Sequence, residues 1–151
     1  MQYLKYAIIP IILGVIFISC EKDDNSVIDP LLKFPRIDSA SFTPTTFDSD
    51  TINGIAIAKV SSEDPIKQVS VTLFNPDGAG EGAFVLKDDG ISPDVTAGDG
   101  IYSGRVIHPM DCRFVGTWKG EFIAETEAGL FSNNYNNTFA VINSGNLPPV
   151  L

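Results

Sequence analysis

Two cysteines, one histidine, one tryptophan and two methionines in 151 residues leave most metal and redox chemistry short of parts. A structural zinc site takes four Cys or His ligands. A serine triad needs a histidine placed between nucleophile and carboxylate. His108, followed directly by Pro109, supplies neither. The sequences G-x-S-x-G and H-E-x-x-H and the phosphate-binding glycine loop are also absent. Paired carboxylates are plentiful, so the residue types of glycoside hydrolysis are present. A sandwich of about 105 residues, however, offers little room for a deep cleft. The expectation is a protein that is not an enzyme. Positive charge is scarce as well. Ten Lys and Arg stand against 19 Asp and Glu, a formal charge of −9, which excludes nucleic acid as a partner because phosphate binding needs a basic surface. Nowhere do apolar residues at helical spacing persist for a dozen positions.

What is present begins with MQYLKYAIIPIILGVIFISC. Lys5 supplies a positive n-region, and Ala7 to Ser19 form an uncharged apolar stretch of thirteen residues. That is the length of a signal-peptide h-region and shorter than the ~20 residues of a membrane-spanning helix. Phe17-Ile18-Ser19-Cys20 closes it, a small residue just before a cysteine. This ending resembles the lipobox of bacterial lipoproteins. The resemblance implies cleavage before Cys20, acylation of its thiol and new amino terminus with chains such as palmitate, and anchoring to a membrane through that lipid. Glu21-Lys22-Asp23-Asp24 follows, and resembles the export signal of surface lipoproteins in the Bacteroidota. It implies an outer-membrane protein exposed at the cell surface. Loss of residues 1–19 with Lys5 takes the formal charge from −9 to −10. With Cys20 acylated, Cys112 has no disulfide partner.

The chain therefore divides into a signal peptide over 1–19, a lipidated cysteine and tether over 20–36, a β domain over 37–144 and a proline-containing tail over 145–151. Within the domain, Val69, Val71 and Leu73 alternate with Gln68, Ser70 and Thr72, and Trp118, Gly120, Phe122 and Ala124 alternate with Lys119, Glu121 and Ile123. A period of two predicts strands. About seven are expected, near 37–43, 52–60, 67–74, 82–87, 101–107, 114–125 and 137–143, separated by clusters such as Asn75-Pro76-Asp77-Gly78. That spacing points to an all-β, immunoglobulin-like or fibronectin type III-like sandwich without a bridging disulfide.

Residues 86–102, LKDDGISPDVTAGDGIY, hold the densest constellation. Asp89-Gly90 and Asp99-Gly100 are turn dipeptides, with glycine suited to positive φ and aspartate to bonding nearby N–H groups. Asp88, Asp89, Asp94 and Asp99 are also calcium candidates, carboxylates being the ligands a hard cation prefers. Leu86, Asp88, Asp89, Gly90, Asp94 and the run Ala97–Tyr102 resemble a recurring segment of bacterial Ig-like and fibronectin-like modules. A related pattern occurs in the β domain of calcium-activated chloride channel regulators. The resemblance implies the module type, which serves in many proteins as a spacer, adhesion or binding domain.

Three weaker features complete the reading. His108, Met110 and Cys112 place soft copper ligands at alternate positions, although a connecting loop is the simpler reading. Asp38-Ser39-Ala40 and Asp50-Thr51-Ile52 resemble the short O-glycosylation motif of exported Bacteroidota proteins. Trp118, on an alternating strand, reads as core. Exposed, it would be a stacking platform for sugar, together with Tyr135. The expected function is a non-catalytic binding, adhesion or scaffold module contacting another envelope protein. The alternative is a carbohydrate-binding accessory of a glycan-uptake system.

Overall fold

A strand turns successive side chains to opposite faces, so a run such as Val69, Val71, Leu73 makes one apolar face that needs a partner. The computed structural model describes residues 32–48, 51–109 and 114–143, and there the partner is a second sheet. The strands are β1 (Arg36–Thr43), β2 (Thr46–Asp48), β3 (Thr51–Ser61), β4 (Ile66–Phe74), β5 (Gly80–Leu86), β6 (Ile101–Pro109), β7 (Gly116–Thr126) and β8 (Tyr135–Ile142). One sheet has the order β1-β3-β6, the other β2-β8-β7-β4-β5. Neighbours run antiparallel except β2, which lies parallel to β8. This is the immunoglobulin-like, fibronectin type III-like sandwich, three strands against four, with β2 added at one edge. Among the described residues no helix is long and apolar enough to cross a membrane.

The seven expected strands each have a counterpart, shifted by one or two residues at their ends. The eighth, β2, has three residues, too few for any periodicity to show. It exists because the chain leaves β1 at Thr43 and crosses to the other sheet, where Ala140 N donates to Thr45 O at 3.0 Å. Phe47 then enters the core beside Phe139, ring centroids 5.2 Å apart.

Both inner faces supply that core. Ile37, Phe42, Ile52, Ala56, Ala58 and Val106 come from the smaller sheet, and Val69, Val71, Leu73, Trp118, Phe122 and Phe139 from the larger. Phe42 lies 5.4 Å from Phe122 and 4.7 Å from Phe139, ring to ring. Gly120 makes this possible. A Cβ there would sit 2.3 Å from Phe42 Cζ, so the missing side chain is the space into which the ring inserts.

At one side the sheets are joined. Lys87 N donates to Ser103 O at 2.9 Å and Ser103 N to Lys87 O at 2.8 Å, which brings the end of β5 against the start of β6. Leu86 is buried and Tyr102 packs on the core's edge, so these two residues bracket the acidic segment. The compact unit begins at Leu32. Lys33 pairs with Glu63 and Pro35 is buried, so the end of the expected tether packs on the domain. Cys20, the signal segment and the tail from 145 lie outside the described residues.

The acidic loop and the surfaces beside it, a candidate functional site

Thirteen residues link Lys87 to Ile101 without a strand of their own. Such a segment holds one shape only if its backbone donors find acceptors. The four aspartates are those acceptors. Asp88 Oδ1 accepts from Gly98 N at 2.6 Å and from Asp99 N at 3.3 Å, while its Oδ2 accepts from Gly100 N at 2.9 Å. Asp94, buried, accepts from Gly90 N at 2.5 Å and Val95 N at 2.9 Å. A buried carboxylate without such donors would be strongly unfavourable. Asp89 and Asp99 each bond the N–H two residues on, to Ile91 and Ile101, both at 2.9 Å, the local turn that aspartate favours. Gly100, at φ +79°, adopts a backbone region open mainly to glycine. Its carbonyl accepts from Val60 N at 2.9 Å and latches the loop to β3.

The turn chemistry read from the sequence is therefore present. Of the four calcium candidates, three converge: carboxylate oxygens of Asp88, Asp94 and Asp99 lie within 4.8 Å of one another. Asp89 stands apart, 3.9 Å from Lys87 Nζ. Each carboxylate oxygen can accept about two bonds, so the three retain free acceptor positions beside those the backbone uses. They are the residues that could hold a hard cation. Tyr102 adjoins them. Burial of its ring, and next the Asp88 carboxylate, push its hydroxyl above the ordinary tyrosine range.

With its polar atoms turned inward, the loop holds apolar side chains outward. Ile91 is 69% and Val95 89% exposed. Between the loop, β5 and β6 lies a groove of about 320 Å³, whose walls include Val85, Lys87, Ile91, Pro93 and Arg105.

Trp118 is fully buried and its Nε1 donates to Phe114 O at 2.8 Å, so it is a core residue. The sugar-platform alternative for it is excluded, because the inter-sheet layer covers the ring. Tyr135 is half-buried against the same core. Two phenylalanines are exposed, Phe34 at 61% and Phe131 at 57%, and Phe131 is the one set among polar side chains of the larger sheet. It lies at a shallow dish of about 200 Å³ with Gln68, Ser70, Ile123 and Glu125. It sits among turn residues with no repeating pattern, and so gave no sequence signal.

His108 lies on β6 rather than in a connecting loop, which corrects that expectation. Pairing with Ile52 extends β6 as far as Pro109. Its ring packs against Trp118, 5.8 Å between centroids, with Nε2 3.7 Å from Glu81 Oε2. Met110 and Cys112 lie outside the described residues, as does Asp50. Ser39 is exposed on β1.

No protein-family model matches the chain, and no curated protein matches it in sequence. Solved structures do match in shape. One is the Bifidobacterium dentium beta-glucuronidase complexed with coumarin-3-O-glucuronide, at 14% identity and TM-score 0.49, over 72% of this chain and 18% of that one. The chain thus spans under a fifth of that enzyme's length. Another is CopC from Methylosinus trichosporium OB3b, at 14% identity and TM-score 0.44, over 77% of this chain and 99% of that one. Neither likeness bears on what this chain binds.

Proposed function

We propose that the chain is a lipid-anchored surface protein of the outer membrane whose sandwich binds another envelope protein without catalysis. The observation that supports binding is the 88–100 loop. Ordering a loop costs about 1–2 kcal/mol of backbone entropy per residue, and here internal carboxylate–backbone bonds offset that cost before any partner arrives. The pre-ordered loop presents Ile91 and Val95 to water, and apolar side chains held out on a rigid scaffold mark interaction sites. Replacing Val95 by Asp is expected to abolish crosslinking to the partner in native envelopes. Ile142→Asp, on β8, should leave it intact. Equal crosslinking by both variants would refute the loop's role.

The anchor rests on the segment Ala7–Cys20 and the acidic residues after it. Several acyl chains on Cys20 give stable attachment where one gives only marginal binding. Cys20→Ala should release the protein into the soluble fraction and abolish labelling by fatty acid. Protease added to intact cells should degrade the wild-type protein if it faces outward. The cofactor that Asp88, Asp94 and Asp99 fit is a calcium ion, bound in addition to the loop's own bonds.

Phe131 favours a second reading, glycan binding. Its ring offers a stacking face, and Gln68, Ser70 and Glu125 offer amide, hydroxyl and carboxylate contacts. Retardation of the protein in gels containing surface polysaccharides, lost in Phe131→Ala, is the expected sign. Identical mobility of both proteins would remove this reading.

A further inference from the structure

Ser103 is on the outer face of β6, alternating with the buried Gly104 and Val106 and aligned with the exposed Arg105. An outward serine is ordinarily wet, yet this one is only 5% exposed. Its backbone N–H and C=O are both used by Lys87. Its hydroxyl has no hydrogen-bond partner, and among the described residues no other buried side-chain nitrogen or oxygen lacks one. A polar group left so is unfavourable, and alanine at this position would remove the problem.

Ser103 is one of the residues that line the groove beside the loop. Its lining includes the apolar Val85, Ile91 and Pro93 and the charged Lys87, Asp89 and Arg105. Asp89 is opposed to Lys87, 3.9 Å away, while Arg105 has no acidic partner among the described residues. In a chain of formal charge −9, the groove's own lining residues bring two cations against one carboxylate. A guanidinium matches a carboxylate with two parallel hydrogen bonds. A volume of about 320 Å³ lies at the low end for ligand pockets, enough for a small molecule or one residue of a polymer.

From these features we infer that the groove binds a small carboxylate-bearing ligand. The carboxylate sits on Arg105 and a hydrocarbon face lies on Val85 and Ile91, while a change of the Ser103 χ1 rotamer brings its Oγ, shielded from solvent in the free protein, to a ligand hydroxyl or amide. The inference rests on the loop-side face being the contact surface, and adds its ligand chemistry. Both a sugar acid and an acidic amino-acid side chain carry this chemistry.

Calorimetry on the full chain in detergent separates the sources. The probes are galacturonate, N-acetylglutamate and, as the neutral control, galactose. One of the acids should bind and galactose should not. Arg105→Gln should weaken that binding roughly tenfold or more, the worth of a charge-assisted bond, with Tm unchanged. Ser103→Ala should weaken it while leaving Tm equal or higher, because removal of an unpaired hydroxyl does not destabilise the free protein. A purely structural serine would move neither quantity that way. Binding of neither acid, or equal binding by wild type and both variants, overturns the inference. The envelope-partner crosslink in Val95→Asp is scored separately, so a failed groove and a failed loop give different results.

Discussion

Between the sheets, Phe42, Trp118, Phe122 and Phe139 interlock ring against ring, with Gly120 leaving the space that Phe42 occupies. Across the 88–100 loop hardly any apolar surface is buried, and shape comes from carboxylates that accept backbone N–H groups. The core draws on the hydrophobic effect and close packing, cooperative over the whole domain. The loop draws on hydrogen bonds that close within thirteen residues. Loop bonds that close locally are expected to break without unfolding the sandwich. The two regions should therefore respond differently when broken.

The largest effect belongs to the core. Trp118→Ala is expected to cost about 3–5 kcal/mol, the range for deleting a buried aromatic, and removes the hydrogen bond from Trp118 Nε1 to Phe114 O. Urea denaturation reads this directly. Because a loss of that size can leave no folded protein, Trp118→Phe serves as the milder test at roughly 2 kcal/mol. A cost below about 1 kcal/mol for the alanine variant would mean that the ring does not anchor the core.

Breaking the loop should do less, and do it locally. Asp88→Ala removes the acceptor of three N–H groups and is expected to cost about 2 kcal/mol. Amide exchange at Gly98 and Gly100 should accelerate, while the fluorescence of Trp118 keeps its native position. If the fluorescence shifts to that of exposed tryptophan, loop and core are one cooperative unit and the contrast fails.

The contrast also explains what the sequence revealed. Alternation such as Val69, Val71, Leu73 reports one buried face, so the core strands and Trp118 were legible within one or two residues. The Asp-Gly pairs announced turns because few other residues suit those backbone angles. β2 escaped, since three residues have no period. Asp89 was grouped with the other aspartates, because spacing along a chain does not say which carboxylates converge once it folds back. Ser103 occupies an outer-face position of β6 and nothing in its sequence neighbours marks it as buried. Its burial depends on β5 and the 91–93 segment lying beside it, a tertiary fact with no local signature. Phe131 escaped for the same reason.

A smaller effect tests whether the loop is self-sufficient. Its backbone donors are already satisfied, so EDTA should leave Tm unchanged. Millimolar calcium, bound by Asp88, Asp94 and Asp99, should raise Tm by a few degrees at most, and Asp99→Ala should abolish the rise. No rise in the wild-type protein ends the calcium proposal. A fall in Tm with EDTA would instead make the loop a metal-dependent structure, and the comparison with the core would have to be redrawn.

The smallest effect lies where the two regions meet. Tyr102 packs its ring on the edge of the core and feels the Asp88 carboxylate of the loop, and both raise its pKa, burial more than charge. The folded state thus favours the protonated phenol. That preference contributes stability in full below the unfolded tyrosine value of about 10, and it is lost as pH rises through the higher folded value. Alkaline titration of the tyrosine absorbance should show one group ionising late. Raising the salt concentration screens Asp88 but not burial, so the late transition should move down part of the way toward the ordinary value. A full return would mean that charge from the loop, not burial in the core, governs this residue. No movement would mean that the loop's charge does not reach it.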